Sequence, residues 1–246
     1  MHRFFISPTA IHDARVLLRG TIVHQIRDVL RMQPGAEIVL LDNSGNAYRA
    51  EIVMIDRDTV RARITDQWKL ETEPTTRLTL YQGLLKGQKF DWVLQKGTEL
   101  GITRFVPLLA ARCVIGNLED VSDTRLERWQ RILVEAAEQA GRAVLPHITA
   151  PLLFAPACAS AAQSGLALMP WEGERSRGLR EMLQNVDKSK ELSVFIGPEG
   201  GFADEEVALA QAHNILPVSL GSRILRAETA ALATASAILY ELGDLG

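Results

Sequence analysis

The 246-residue chain contains no run of about eighteen apolar residues, so no membrane-spanning helix is expected. Its first residues, Met1-His2-Arg3-Phe4-Phe5, soon meet Pro8, His12 and Asp13 and do not make the apolar core of a signal peptide, which points to a cytoplasmic protein. Cysteine is scarce. Cys113 and Cys158 stand apart without Cys-x-x-Cys spacing, so neither a disulfide framework nor a zinc site is argued, and two buried thiols are expected. The five histidines are scattered, with no His-x-x-x-His or His-Cys clustering, so no metal is expected. Net charge is also lacking: the formal value of −3 argues against a protein that coats nucleic acid through bulk electrostatics.

What is present is an ample supply of core residues, 47% of the chain being hydrophobic. From Glu37 to Ile64 three β-rich runs, Glu37 to Asp42, Ala47 to Ile55 and Thr59 to Thr65, are separated by Asn43-Ser44-Gly45-Asn46 and Asp56-Arg57-Asp58. Those turn residues tolerate left-handed backbone or cap a bend, which predicts a meander or small barrel. Glu71-Thr72-Glu73-Pro74-Thr75-Thr76 is polar and aperiodic, so an interdomain boundary is placed near residue 74, dividing the chain into 1–73 and 74–246. Beyond it, apolar runs alternate with helical patterns. Strands are predicted at Leu78 to Leu85, Phe105 to Ala110, Leu166 to Met169, Leu192 to Ile196 and Pro217 to Leu220. Helices are predicted at Phe90 to Leu100, Arg125 to Ala140, Leu179 to Gln184, Asp204 to His213 and Glu228 to Leu242. This is an α/β domain with a mostly parallel sheet.

Two of these strands run into glycine turns. Phe195-Ile196-Gly197-Pro198-Glu199-Gly200-Gly201 is the first; Leu220-Gly221-Ser222-Arg223-Ile224-Leu225-Arg226-Ala227-Glu228-Thr229-Ala230 is the second and delivers Arg-x-Glu-Thr onto a helix start. Unblocked backbone N–H and C=O groups at both turns make a pocket able to grip a nucleoside. No G-x-G-x-x-G occurs and the glycine turns follow late strands, which weighs against a Rossmann dehydrogenase or a Rossmann-type methyltransferase. For Gly197, Gly200 and Gly201 the alternative is plain turn chemistry after a strand. In the helix predicted from Arg125, the residues Glu135, Glu138, Gln139 and Arg142 fall on one polar face, which solvation with an i,i+4 pair would explain.

The two turns resemble those of the knotted SPOUT methyltransferases. With His24, Val29-Leu30-Arg31-Met32, Pro34-Gly35, Lys86 to Gly101 (KGQKFDWVLQKGTELG) and Glu135-Ala136-Ala137-Glu138-Gln139, the whole chain resembles the 16S rRNA (uridine-N3)-methyltransferase family, ribosomal small subunit methyltransferase E. The resemblance implies a trefoil-knotted α/β domain, an N-terminal PUA-like β-barrel, and a homodimer, and it places the Glu135, Glu138, Gln139 and Arg142 face near the subunit boundary and active site instead of in solvent. It implies S-adenosyl-L-methionine as cofactor, with the uridine at position 1498 of 16S rRNA in the small ribosomal subunit as substrate. A related enzyme acting on another rRNA or tRNA nucleotide, and a non-catalytic RNA-binding assembly factor, are the alternatives; a small-molecule nucleotide enzyme would leave the N-terminal barrel without a purpose.

By the same resemblance the cofactor lies among Leu168 to Glu172, Ile196 to Gly201 and Leu220 to Ala230. The residues assigned to it are Leu168, Ile196, Gly197, Glu199, Gly200, Gly201, Leu220, Gly221, Ile224, Leu225, Thr229 and Ala230. Arg226 is the leading catalytic candidate. Uracil N3 becomes nucleophilic as its proton leaves and charge spreads onto O2 and O4, and a guanidinium stabilises that anion at any working pH; binding a phosphate or pairing with Glu228 is the alternative. Glu199 is assigned chiefly to positioning, because a carboxylate beside a sulfonium stabilises the ground state; proton abstraction is its second reading. Glu228 and Thr229 serve equally as helix-start caps. For RNA, five arginines against two aspartates within residues 1–35 form a local basic patch, from which Arg3, His24, Arg27 and Arg31 are assigned to docking, with Lys86, Lys89 and Lys96 extending the track.

Overall fold

The computed structural model describes residues 1–163, 165–184, 186–187 and 191–246. The chain divides into two compact units, Met1–Glu73 with Ala137–Leu145, and Pro74–Ala136 with Pro146–Gly246.

The first unit is built on strands β1 (Arg3–Phe5), β2 (Ile11–His12), β3 (Arg15–Arg19), β4 (Glu37–Leu41), β5 (Asn46–Ile55) and β6 (Thr59–Lys69). They form one sheet in the order β1-β4-β5-β6-β3-β2, antiparallel except for the β1/β4 pair. Period-two alternation in β3 and β5 turns Val16, Leu18, Ala50 and Ile52 onto one side. There they pack with Val23 and Ile26 from a helical turn, α1 (Thr21–His24), and the wider turn that continues it to Val29. The β4–β5 turn uses left-handed Asn43 and Gly45, and the Asp42 carboxylate gathers Ser44 N, Asn46 Nδ2 and the Tyr48 hydroxyl at 2.9 to 3.0 Å.

Sequence periodicity did not indicate that Ala137–Leu145 belongs with this unit. The helix α3 (Asp123–Ala140) ends before Arg142, and left-handed Gly141 redirects the chain. Arg142 is therefore buried and donates to Glu73 Oε2 at 2.6 Å, while Ala143 N donates to Glu73 Oε1 at 2.9 Å. Glu138 accepts from Phe5 N at 2.9 Å. The expected solvated face with a Glu138–Arg142 pair is thus replaced by tethers within the unit.

The second unit is a three-layer α/β domain. Strands β7 (Leu78–Gly83), β8 (Arg104–Leu109), β9 (His147–Ile148), β10 (Leu152–Leu153), β11 (Ala167–Pro170), β12 (Leu192–Ile196) and β13 (Ile215–Val218) pair in the order β10-β8-β7-β12-β11-β13, with β9 also on β8. Every named pair is parallel. Leu78–Gly83 and Leu192–Ile196 are buried throughout, as central strands covered on both faces require. On one face lie α2 (Lys89–Leu100), α3, α5 (Leu179–Leu183) and α7 (Ala227–Glu241), whose apolar residues join Leu80, Phe105 and Val194 in one core. On the other, α4 (Phe154–Ala161) and α6 (Asp204–Ala212) cover Tyr81, Val106 and Phe195, with Tyr81 stacked on Phe195 at 4.3 Å. The short strands β1, β2, β9 and β10 and the helix α4 were not anticipated, because two or three residues carry no periodicity and Phe154-Ala155-Pro156 reads as a break. Pro156 is accommodated in the first turn of α4, where its missing N–H has no partner to lose. Cys158 is fully buried, its thiol pushed up to about 12 by burial, whereas Cys113 is only partly buried. Among the described residues no helix is long and apolar enough to cross a membrane, and no group of His, Cys, Asp and Glu could hold a metal.

The unit is closed by Asp244, which accepts from Thr75 N at 2.7 Å, Thr75 Oγ1 at 2.9 Å and Thr76 N at 3.1 Å. Burial pushes its carboxyl up, but these donors outweigh burial and leave it below the usual carboxylate range; Asp42 behaves alike. A carboxyl lowered by folding stabilises fully above its unfolded value of about 3.9, and that contribution fades as pH falls through the folded value. Urea unfolding midpoints are expected to hold down to about pH 5 and fall below about pH 4. Asp244→Asn should lower the midpoint at neutral pH and remove part of the acid-side decline; an unchanged slope would assign the decline to other groups.

Candidate active site

Parallel strands end at one edge of their sheet, and in open α/β folds ligands bind outside those carboxyl ends. Here Gly83, Pro170, Ile196 and Val218 end their strands at that edge, and the loops that follow β11, β12 and β13 bound two cavities of about 410 and 500 Å³. Both touch Pro170, Glu172, Ile224, Leu225 and Ala230. The smaller holds the Gly197–Gly201 turn, Lys89 and Arg226; the larger holds Trp171, Glu174, Arg175 and Ser219 to Arg223.

The turn after β12 is packed to a tolerance that only glycine meets. A Cβ on Gly83 would lie 2.5 Å from Pro198 N, and one on Gly197 3.1 Å from the Gly201 backbone. Gly201 is left-handed (φ 68°), and a Cβ there would come 3.1 Å from Glu172 Oε1. Gln82, buried in the sheet, donates from Nε2 to Gly83 O at 3.0 Å and Gly197 O at 3.4 Å. Arg112 Nη1 donates to Gly200 O at 3.0 Å. Glu206 accepts from Ala111 N and Ala203 N at 2.8 and 2.9 Å, tying the Arg112 segment to the start of α6. Gly83→Ala should therefore displace the turn, cost about 1–3 kcal/mol of stability, and weaken ligand binding at the cavity. Urea titration and calorimetry with the cofactor check both, and unaltered binding would show that the turn does not define the site.

Glu199 projects from this turn. Its Oε1 accepts from Lys86 N and from Lys89 Nζ, both at 3.1 Å. Burial pushes the carboxyl up, yet the donors, Lys89 among them, bring it below its ordinary value, so it is a weaker base than a free glutamate. Arg226 caps α7 through its backbone, its carbonyl accepting from Ala230 N at 2.8 Å. Its exposed guanidinium has no hydrogen bond or ion pair within the described residues, and Glu228 does not engage it. The Glu228 atom Oε2 is itself buried with no hydrogen-bond partner among the described residues.

Of the residues assigned to the cofactor, Ile196, Gly197, Glu199, Gly200, Gly201, Leu220, Gly221, Ile224, Leu225 and Ala230 line the cavities. Leu168 is fully buried in the core and Thr229 is exposed on α7; neither lines them. Gln82 and Arg112 were not among the site assignments, and Glu172 entered them only as the end of the Leu168 to Glu172 loop. Gln82, on β7, and Arg112, in the turn after β8, meet the glycine turn from 115 and 88 residues away in sequence, a relation no local pattern carries. Of the RNA assignments, Lys89 lies in the smaller cavity, Lys96 pairs with Glu99 at 2.7 Å, and Lys86 is exposed. In the first unit His24 and Arg27 share Asp28, at 2.6 and 2.7 Å; Arg3 is exposed; Arg31 is left-handed (φ 51°).

A glycine-walled, cation-bearing cavity at the carboxyl edge of a doubly covered parallel sheet is the construction of an α/β enzyme that grips a nucleoside-sized ligand through loop backbone. A family model described as an RNA methyltransferase domain matches residues 71–239, and one described as an RNA methyltransferase PUA domain matches residues 18–65. The chain is 37% identical over 242 residues to ribosomal RNA small subunit methyltransferase E of Synechocystis sp., spanning 97% of this chain and 78% of that protein. It is 31% identical over 248 residues to the protein of the same name from Bacillus subtilis, spanning 98% and 97%. The crystal structure of a ribosomal RNA small subunit methyltransferase E from Neisseria gonorrhoeae bound to S-adenosyl methionine superposes with a TM-score of 0.86, at 29% identity over 98% of this chain and 97% of that one. The chain belongs to the ribosomal RNA small subunit methyltransferase E family.

Proposed function

We propose that the protein uses S-adenosyl-L-methionine to methylate N3 of one uridine of 16S rRNA within the small ribosomal subunit. The observation that carries the reading is the unpaired Arg226 guanidinium on a glycine-walled cavity, in a chain of this family. The residues present fit the cofactor: the backbone of Gly197, Gly200, Gly201 and Gly221 lines the cavities, Ile196, Leu220, Ile224 and Leu225 offer apolar cover, and Glu172 offers a carboxylate to cationic groups. When bound, it supplies a methyl group carried on a sulfonium. Arg226 then faces the uracil and stabilises the charge that grows on O2 and O4 as the N3 proton leaves. Because N3 is buried in base pairing, the target uridine must enter the pocket unpaired or flipped out.

In this reading Arg3, His24, Arg27 and Arg31 of the PUA-like unit and Lys86 and Lys96 contact rRNA by shape and phosphate. The His24 and Arg27 charges are partly offset by Asp28, which favours docking to a folded surface over tight non-specific binding. A homodimer, a trefoil knot in the segment leading to α7, and a cytoplasmic location complete the proposal. The test is nucleoside mass spectrometry of 16S rRNA after unmethylated small subunits are incubated with the protein and S-adenosyl-L-methionine. 3-Methyluridine at one site is the expected product. Cofactor binding without any methylated uridine would redirect the reading to another RNA, and RNA binding without cofactor binding to an assembly factor.

A further inference from the structure

Two cations, not one, line the smaller cavity. Lys89 opens α2 and lies in the same cavity as Arg226, its ammonium 3.1 Å from Glu199 Oε1. A lysine serving the RNA backbone projects into solvent as a point charge. The Lys89 side chain is only 36% exposed and is held to the glycine turn by its carboxylate partner. Glu199 in turn is fixed from two sides, by Lys86 N and by Lys89 Nζ. That arrangement orients an ammonium in the pocket and, by stabilising the charged carboxylate, makes Glu199 a poorer proton acceptor.

The chemistry calls for a second cation. Loss of the N3 proton leaves an electron pair on N3 whose charge spreads to O2 and O4, which flank N3 on opposite sides. One guanidinium serves one flank and leaves the other oxygen to be matched. Resting on the function proposed above, we infer that Lys89 is a catalytic residue that pairs with Arg226 to hold the uracil anion, one cation to each flanking oxygen, with Glu199 as the counter-ion that orients Lys89. The N3 proton passes to water. N3 then forms its bond to the methyl carbon as the carbon–sulfur bond breaks, and the bonding pair returns to sulfur as a neutral thioether. Glu199 accepts no proton at any stage.

The test compares wild type, Lys89→Met, Lys89→Arg and Glu199→Gln in single turnovers on unmethylated small subunits across pH. A parallel set uses subunits reconstituted with 16S rRNA containing 5-fluorouridine, whose ring fluorine makes N3–H more acidic. Cofactor affinity is read by calorimetry and folding by thermal midpoint. Lys89→Met is expected to lose about 10²-fold in rate at neutral pH, with the rising limb of its rate–pH profile moved to higher pH. The fluorinated substrate should restore most of that loss, and Lys89→Arg part of it. Cofactor Kd and subunit KM should stay within about threefold, as expected when an interaction made only in the transition state is removed. Glu199→Gln, which keeps the hydrogen bond from Lys86 N but drops the ion pair that orients Lys89, should lose rate, though less than Lys89→Met. A raised KM at unchanged kcat would make Lys89 a backbone contact. Lost cofactor affinity would assign the pair to the cofactor, and a larger rate loss in Glu199→Gln than in Lys89→Met would restore Glu199 as the base. Each of these overturns the inference. Should Lys89→Met fail to fold, the rate profile and fluorine response of Lys89→Arg decide it. Wild type yielding neither 3-methyluridine nor, on the fluorinated substrate, 5-fluoro-3-methyluridine would overturn the proposed function itself, which separates the two failures.

Discussion

Arg226→Ala is expected to lower kcat/KM for methyl transfer by about 10²–10³-fold, or roughly 3–4 kcal/mol of transition-state stabilisation. Among the described residues nothing bonds to the side chain. The guanidinium has no intramolecular partner among the described residues, and its structural role at the start of α7 runs through its carbonyl, which alanine retains. The thermal midpoint should therefore move little, in line with exposed substitutions worth within about 0.5 kcal/mol. Cofactor affinity should hold within a fewfold, because the charge Arg226 answers appears only as N3 ionises. Arg226→Lys keeps the charge but loses the planar donor fork, so it should recover only part of the rate. Single-turnover kinetics at saturating cofactor measure the effect directly. A rate that survives the substitution would leave the anion to other groups and remove the main support for the assigned chemistry.

The parts of this site that could be read from the sequence are those whose chemistry is local. A glycine turn after a strand and an arginine at a helix start are written in consecutive residues, and Gly197–Gly201 and Leu220–Arg226 meet on shared walls because their strands are parallel and nearly adjacent. The long strands and helices of the second unit were legible for the same reason: Leu78–Gly83 and Leu192–Ile196 are continuous apolar runs, and Phe90, Val93, Leu94 and Gly97 repeat at helical spacing and are buried. What could not be read is what distant segments do to each other. Gln82 and Arg112 reach the turn across the sheet edge, and Lys89, one charge in a basic stretch, gains its meaning from Glu199 110 residues later. Arg142 failed as a surface residue because one left-handed glycine took it off the helix and toward Glu73. Burial and partner, not residue type, decided each case.

Trp129→Ala should be the most destabilising single substitution of this set, at about 3–5 kcal/mol. Trp129 is fully buried, packs on Phe90 at 4.5 Å between ring centroids, and donates its indole N–H to Asp91 Oδ1 at 3.1 Å. Arg128 grips the other oxygen of Asp91 at 2.7 Å, and the Arg125 guanidinium lies 5.1 Å from the Trp129 ring. Phe90 and Asp91 immediately follow Lys89, so this cluster anchors the first turn of α2 and with it the ammonium that faces Glu199. Truncation to alanine opens a cavity beside that turn and leaves Asp91 without its indole donor. Equilibrium urea unfolding should show the midpoint falling with little change in slope. At temperatures where the variant is still folded, methyl transfer should fall further than cofactor affinity, because the loosened turn misplaces Lys89 while the glycine loops remain. Trp129→Phe keeps the apolar contact and drops the N–H, so it should recover most of the stability. If it recovered stability and rate together, packing would be what holds Lys89 in place; recovered stability with a depressed rate would assign that task to the Trp129–Asp91 hydrogen bond.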